Sequence, residues 1–374
     1  MTLSDKYRHD CYHASIMTKN HAIGLVLLIL ISGLTGCKSQ FLQTSPQSIS
    51  VSGKNIIPLD FHRDVPIVSV KINGKGPYRL VLDSATAVTF LYPQVVEELT
   101  LPDSIYEGKQ TVATDGHYKA VPYKRIERLQ IGGVTIRNMD IAQRTLCETF
   151  FDKDEKIHGV LGIRTFLHAL CTIDYPNKQL IVRPYKALKR DSPNVVQTEL
   201  QRSLIQKMDL YVVDRRLPCS IDTSSPYDVM FFNFTGVGLP FISNDPIVSE
   251  PYITPYYDNT DDESVRLVPS QLDAAFYLGG TRILQPTIHN LIYSDVSSAT
   301  RRQIEALVRT RYGIIGGGLL KHFALTFDLR NSRIRFERSE DTPIQINPTP
   351  NPSDSPEEEV DDSVAAIELH KSTG

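Results

Sequence analysis

The 374-residue chain holds only five cysteines, and no two of them form a Cys-x-x-Cys pair. That excludes a disulfide framework and a zinc site built on paired thiolates. No His-Glu-x-x-His run occurs either, so the sequence names no metal and no other cofactor. Long basic runs are also missing, and the formal net charge is -3. Nucleic acid is therefore not the expected partner. No apolar stretch reaches the about 20 residues that a membrane-spanning helix needs.

What remains is the composition of a folded, strand-rich protein. Apolar residues make up 41% of the chain, and 21 Gly and 23 Pro supply turns throughout. The length allows two domains of ordinary size with a sizeable core. Cys171 in "ALCTIDY" and Cys219 in "LPCSIDT" sit inside apolar strand patterns and read as small core residues. From Ser339 the text turns rich in Pro, Ser, Asp and Glu, so residues 340–374 are expected to form a disordered acidic tail.

One stretch breaks the apolar pattern in an informative place. Residues 80–91 read "LVLDSATAVTFL", so a strand-like run delivers Asp83 into Ser84, Ala85 and Thr86. A carboxylate in apolar surroundings is costly unless it is hydrogen-bonded or paired. Alone, Asp83 reads first as the start of a surface turn, where Asp and Ser are common. However, the pattern has a twin: "LPCSIDTSSPYDVMFF" carries Asp222 into Thr223, 139 residues downstream.

A second repeat supports the first. "GVLGIRTFLHALCTIDYPNKQLIVRP" (159–184) aligns without a gap on "GIIGGGLLKHFALTFDLRNSRIRFER" (313–338). Gly162 matches Gly316, Thr172 matches Thr326, and Asp174 matches Asp328, all at an offset of 154. Each copy reads as apolar-apolar-Gly, a short helix, a strand, a turn and a strand. An internal duplication implies two similar lobes related by a pseudo-twofold axis, which sets corresponding loops opposite each other.

These residues resemble the pepsin and retropepsin-like aspartic peptidases, over roughly residues 59–339. In that family each lobe supplies an Asp-Thr/Ser-Gly loop and, later, an apolar-apolar-Gly segment. The resemblance implies an all-β, two-lobed acid protease fold with a few short helices. It implies Asp83 and Asp222 as the catalytic pair, with Ser84, Thr223, Gly162 and Gly316 supporting their loops. The hairpins "VPIVSVKINGKGPYRLVLD", turning at Asn73-Gly74, and "LQIGGVTIRNMDIA" match the family's opening strands. "TVATDGHYKAV" is the candidate flap over the cleft, turning near Gly116. There Tyr118 is either the flap tyrosine or a surface aromatic beside the turn.

Two carboxyls about 3 Å apart share one proton, and the pair then serves as base and acid toward a water and a peptide carbonyl. The expected activity is that of an aspartic endopeptidase acting on a peptide or protein without a cofactor. The chain departs from the family at the third motif position, where Ala85 and Ser224 replace glycine. The alternative is therefore a silent peptide- or protein-binding protein that keeps the fold.

The N-terminus reads as an address. From Met17, read as the natural start, "MTKNHAIGLVLLILISGLTGC" combines a positive start, a short apolar run and small residues ending at Cys37. Leu34-Thr35-Gly36-Cys37 resembles the lipobox of bacterial lipoproteins, which implies cleavage before Cys37 and acylation of it. The expected organisation is a signal segment at 1–36, a tether at 37–58, lobes at 59–187 and 188–339, and the tail. Membrane attachment through lipid, a place in the bacterial cell envelope and a monomeric state complete the expectation.

Overall fold

The computed structural model describes residues 48–345, apart from 87, 106–107, 112–117, 145–149, 152–154, 201–205, 233–238, 243–249, 252, 255–256, 259–264, 294–312 and 339–342. Cys37 and Gly116 lie outside the described residues. The protein is predominantly β, in keeping with the all-β aspartic protease fold.

In the first lobe, the strands Val134–Gln143, Phe90–Leu91, Gly159–Gly162, Lys75–Asp83 and Val65–Ile72 lie side by side. Tyr123–Ile131 pairs with both Val134–Gln143 and Val65–Ile72, which closes the sheet into a barrel. Asn73 and Gly74 both take positive φ (50° and 85°) at the turn of the opening hairpin. Two left-handed central residues are what a two-residue turn needs to match the twist of its strands.

The strand leading to Asp83 reads as continuously apolar because it is buried on both faces. Leu80 and Leu82 enter the main core, whereas Val81 enters a second cluster with Val65, Ile67, Phe90, Phe150 and Val160. Cys171 and Cys219 are fully buried members of the main core, as the sequence suggested.

The second lobe repeats the central arrangement. Gln206–Val212, Arg215–Asp222, Gly313–Gly316, Val229–Phe232, Thr287–Tyr293 and Val265–Leu272 follow one another across its sheet. Between the lobes runs a six-stranded sheet in which Ala169–Asp174 pairs with Ala324–Asp328. The register is self-complementary: Cys171 faces Phe327, Thr172 faces Thr326 and Ile173 faces Leu325. The 154-residue repeat is thus a spatial pseudo-twofold, with its axis at the Thr172–Thr326 pair.

Two expectations about the chain ends need correcting. Part of the presumed tether is folded: Ser48–Ser50 pairs with the strand Val134–Gln143, and Asn55–Pro58 forms an edge of the interlobe sheet. Ile57 is buried there, which fixes the strand to the core. Likewise Ile344–Gln345, inside the presumed tail, pairs with Thr281–Leu284 and buries Ile344. The folded body therefore reaches beyond 59–339 at both ends.

Candidate active site

Asp83 is the last residue of its strand, and Asp222 holds the same place in the second lobe. In each lobe the apolar-apolar-Gly strand runs parallel to the aspartate strand, setting Gly162 opposite Asp83 and Gly316 opposite Asp222. That same strand pairs antiparallel with the one following the aspartate loop. The loop is therefore wedged between two strands of one sheet, which fixes the direction in which its carboxylate leaves.

The two loops are tied to each other by four reciprocal hydrogen bonds. The Ser84 hydroxyl donates to the carbonyl oxygen of Ile221 (2.9 Å), and the Thr223 hydroxyl donates to that of Leu82 (2.7 Å). The Ser84 N–H donates to Thr223 Oγ1 and the Thr223 N–H to Ser84 Oγ, each at 3.0 Å. Both side chains are fully buried. Each hydroxyl thus accepts one bond and donates one, leaving no buried polar group of the pair unmet.

Each carboxylate is held by its own loop. Asp83 Oδ1 accepts the N–H groups of Ala85 (2.6 Å) and Thr86 (3.0 Å). Asp222 Oδ1 accepts the Ser224 N–H (3.0 Å) and the Ser224 hydroxyl (2.7 Å). The side chains replacing glycine leave this turn intact, since neither Ala85 nor Ser224 takes a positive φ. Asp83 is 1% exposed, whereas Asp222 is more open.

Several residues of the site were not legible beforehand. Thr89 Oγ1 accepts the Gly162 N–H (3.1 Å) and meets the Thr165 hydroxyl at 3.0 Å. In the second lobe, the Asp228 carbonyl takes the Gly316 N–H at 3.0 Å. Thr89 and Asp228 are themselves 139 residues apart, so the offset of the aspartates would have found them. Tyr175 follows the interlobe strand, fully buried, and its hydroxyl makes no hydrogen bond among the described residues. Burial pushes its phenol well above the ordinary range, reinforced by the charges of Asp64, Asp222 and Asp83. One ring therefore feels both aspartates, although nothing in its sequence neighbourhood marks it.

Tyr118 opens the strand Tyr118–Val121, which pairs with Gly108–Thr111 as a hairpin in the first lobe. Among the described residues, no group of three or more His, Cys, Asp and Glu side chains is placed to hold a metal ion.

A family model described as aspartyl protease matches residues 68–165, from the opening hairpin through Asp83 to the short helix after Gly162. This supports an aspartic-protease-like family and a hydrolase of the peptidase kind. The crystal structure of basic 7S globulin from soybean matches with 10% identity and a TM-score of 0.40, covering 77% of this chain and 96% of that one. No curated protein matches the sequence.

Proposed function

We propose that the chain is a lipid-anchored aspartic endopeptidase in which Asp83 and Asp222 activate a water for attack on a peptide bond. The observation that carries this reading is the reciprocal bonding of Ser84 and Thr223, which ties the two aspartate loops together across the lobes. The ionised carboxylate takes a proton from water as its oxygen bonds to the peptide carbonyl carbon. The protonated carboxyl gives its proton to the carbonyl oxygen. The tetrahedral intermediate then collapses, the C–N bond breaks, and the amine leaves with a proton from the dyad. The substrate is a peptide or protein strand lying under the hairpin that contains Tyr118. Cys37 is the proposed acylated residue, attaching the body to the bacterial envelope membrane.

A second reading, peptide binding without cleavage, draws on Ala85 and Ser224 in place of glycine. Digestion of a mixed peptide library at acid pH separates the two. Cleavage by the parent that is abolished in both Asp83→Asn and Asp222→Asn supports the peptidase. Capture of peptides without cleavage, unaffected by either substitution, supports the binding protein. Mass spectrometry of the processed N-terminus tests the lipid on Cys37.

A further inference from the structure

Three glycines, Gly316-Gly317-Gly318, stand in the second lobe where the first has Gly162-Ile163-Arg164. Two of them pack within their own lobe. A Cβ at Gly316 would meet Ser225 and the Tyr227 carbonyl oxygen, and one at Gly318 would meet Asp228. Gly317 instead touches the first lobe, since a Cβ there would drive into the carbonyl oxygen of Asp64. One helical turn on, Lys321 Nζ lies 3.0 Å from Asp64 Oδ2. At the repeat offset of 154, the first-lobe counterparts of Gly317 and Lys321 are Ile163 and Leu167. The second lobe thus has a gap and a cation where the first has two apolar side chains, and both meet the same turn of the other lobe. Resting on the peptidase reading, we propose that Asp64 and Lys321 are positioning residues. Through them the Arg63-Asp64 turn of the first lobe seats on Gly317 and braces the second aspartate loop.

The brace is well footed in the first lobe. Arg63 and Asp64 join the strands Asp60–His62 and Val65–Ile72, and both take positive φ (47° and 62°), which Asp tolerates better than most residues. Val65, just after the turn, is fully buried. His62, just before it, meets the Phe150 carbonyl oxygen at 2.9 Å through Nε2 and Glu155 at 2.7 Å through Nδ1. In the second lobe the reach to the site is short. The Gly317 N–H donates to the Ser225 carbonyl oxygen (2.6 Å), and the Ser225 N–H donates to the Asp222 carbonyl oxygen (3.2 Å). The Lys321 N–H donates to the Gly317 carbonyl oxygen (2.9 Å), so the lysine and the seat move as one piece. The Asp64–Lys321 pair is open to solvent, so its effect is to hold register rather than to add much stability.

The test measures kcat, KM and the thermal midpoint of Lys321→Met, Lys321→Arg, Asp64→Asn and the double variant Asp64→Asn/Lys321→Met. Each of Lys321→Met and Asp64→Asn is expected to lower kcat about fivefold with KM within about twofold. Their thermal midpoints should stay within about 3 °C of the parent. Lys321→Arg keeps the cation and should retain most of kcat. The double variant should fall no further than the worse single one, because both remove the same contact. Gly317→Ala, which displaces the turn itself, is expected to lose on the order of 100-fold in kcat. If it yields no folded protein, the lysine and aspartate variants decide. Unchanged kcat in Lys321→Met, an equal loss in Lys321→Arg, or losses that multiply in the double variant overturn the proposal. A parent that cleaves no peptide overturns the peptidase reading instead. The Ser225 amide, followed by NMR in the same variants, then decides the brace. Displaced in Lys321→Met and Asp64→Asn but restored in Lys321→Arg, it supports the proposal; unmoved in all three, it overturns it.

Discussion

The hydroxyls of Thr172 and Thr326 meet at 2.8 Å between the two central strands of the interlobe sheet, each residue being the other's counterpart in the internal repeat. Thr326 Oγ1 also accepts from Arg335 Nη2 at 3.3 Å, whereas Thr172 has only its twin among the bonds described. The pair is therefore unequal despite the symmetry. Thr326→Val strands a buried hydroxyl and is expected to cost about 1–3 kcal/mol, more than Thr172→Val. The double variant removes both polar groups at nearly constant shape and should cost less than about 1 kcal/mol. Urea unfolding of the four proteins in a double-mutant cycle measures the coupling.

Thr223→Ala should damage the site more than any single substitution at the interlobe sheet. It removes the donor to the Leu82 carbonyl and the acceptor of the Ser84 N–H, both in a fully buried setting. Each orphaned group costs about 1–3 kcal/mol, and the two loops lose a common frame. The expected result is a fall in kcat on the order of 100-fold, since small misplacements of reacting groups carry penalties of that size. Thr223→Ser keeps the hydroxyl and should retain most of the activity. Equal losses in both variants would remove the hydroxyl from the explanation.

How much of this was readable from the chain follows a physical division. Sequence carries what is local or repeated: the Asn73-Gly74 turn, the aspartate loops, and a 154-residue offset that becomes the register of Thr172 on Thr326. Short edge strands carry too few residues to show a period. Asn55–Pro58 has four, and its partner Gln179–Pro184 lies more than 120 residues away, so it read as a tether. Ile344–Gln345 was hidden in the same way by the acidic composition around it. Tyr175 stands in the field of three carboxylates drawn from three separate segments, and no window of sequence contains that relationship. Ser224 was visible as a departure from a motif, but its bond to Asp222 was not.

Asp228 predicts a pH effect on stability. Burial raises its carboxyl from the ordinary 3.8 to about 6; the charge of Asp64 adds to this and Lys321 works against it. A raised carboxyl binds its proton more tightly in the native state. Its favourable contribution is therefore complete below about pH 4 and is lost as pH rises through 6. Asp228→Asn removes that dependence. The variant should gain stability on the parent between pH 4 and pH 7, by up to about 3 kcal/mol before screening of the partly open side chain is allowed for. Urea midpoints of both proteins across that window check it, and a constant difference would contradict it.

The glycine that precedes each apolar-apolar-Gly segment, Gly159 or Gly313, should prove as intolerant of substitution as the aspartates, for a reason unrelated to chemistry at the dyad. Gly159 has a φ of +153°, and a Cβ there would drive into the carbonyl oxygen of Phe90 and the backbone of Leu91. At Gly313, its repeat counterpart, a Cβ would meet the Met230 carbonyl oxygen and the Phe231 ring. In both lobes the obstacle is the strand that pairs antiparallel with the glycine's own, Phe90–Leu91 in one and Val229–Phe232 in the other. Backbone held in a sheet cannot step aside as a flexible side chain can, so relief requires prying apart the strands that grip the aspartate loop. Gly53 offers a control: its φ is +66°, but a Cβ there meets nothing within 4 Å. Gly53→Ala should cost about 1 kcal/mol from backbone conformation alone. Gly159→Ala and Gly313→Ala should each cost more than about 3 kcal/mol, or leave no folded protein. Thermal unfolding of the three variants, with soluble yield recorded for each, ranks them. If Gly313→Ala unfolds beside Gly53→Ala, the close approach of strands at the second loop is not what holds Asp222 in place.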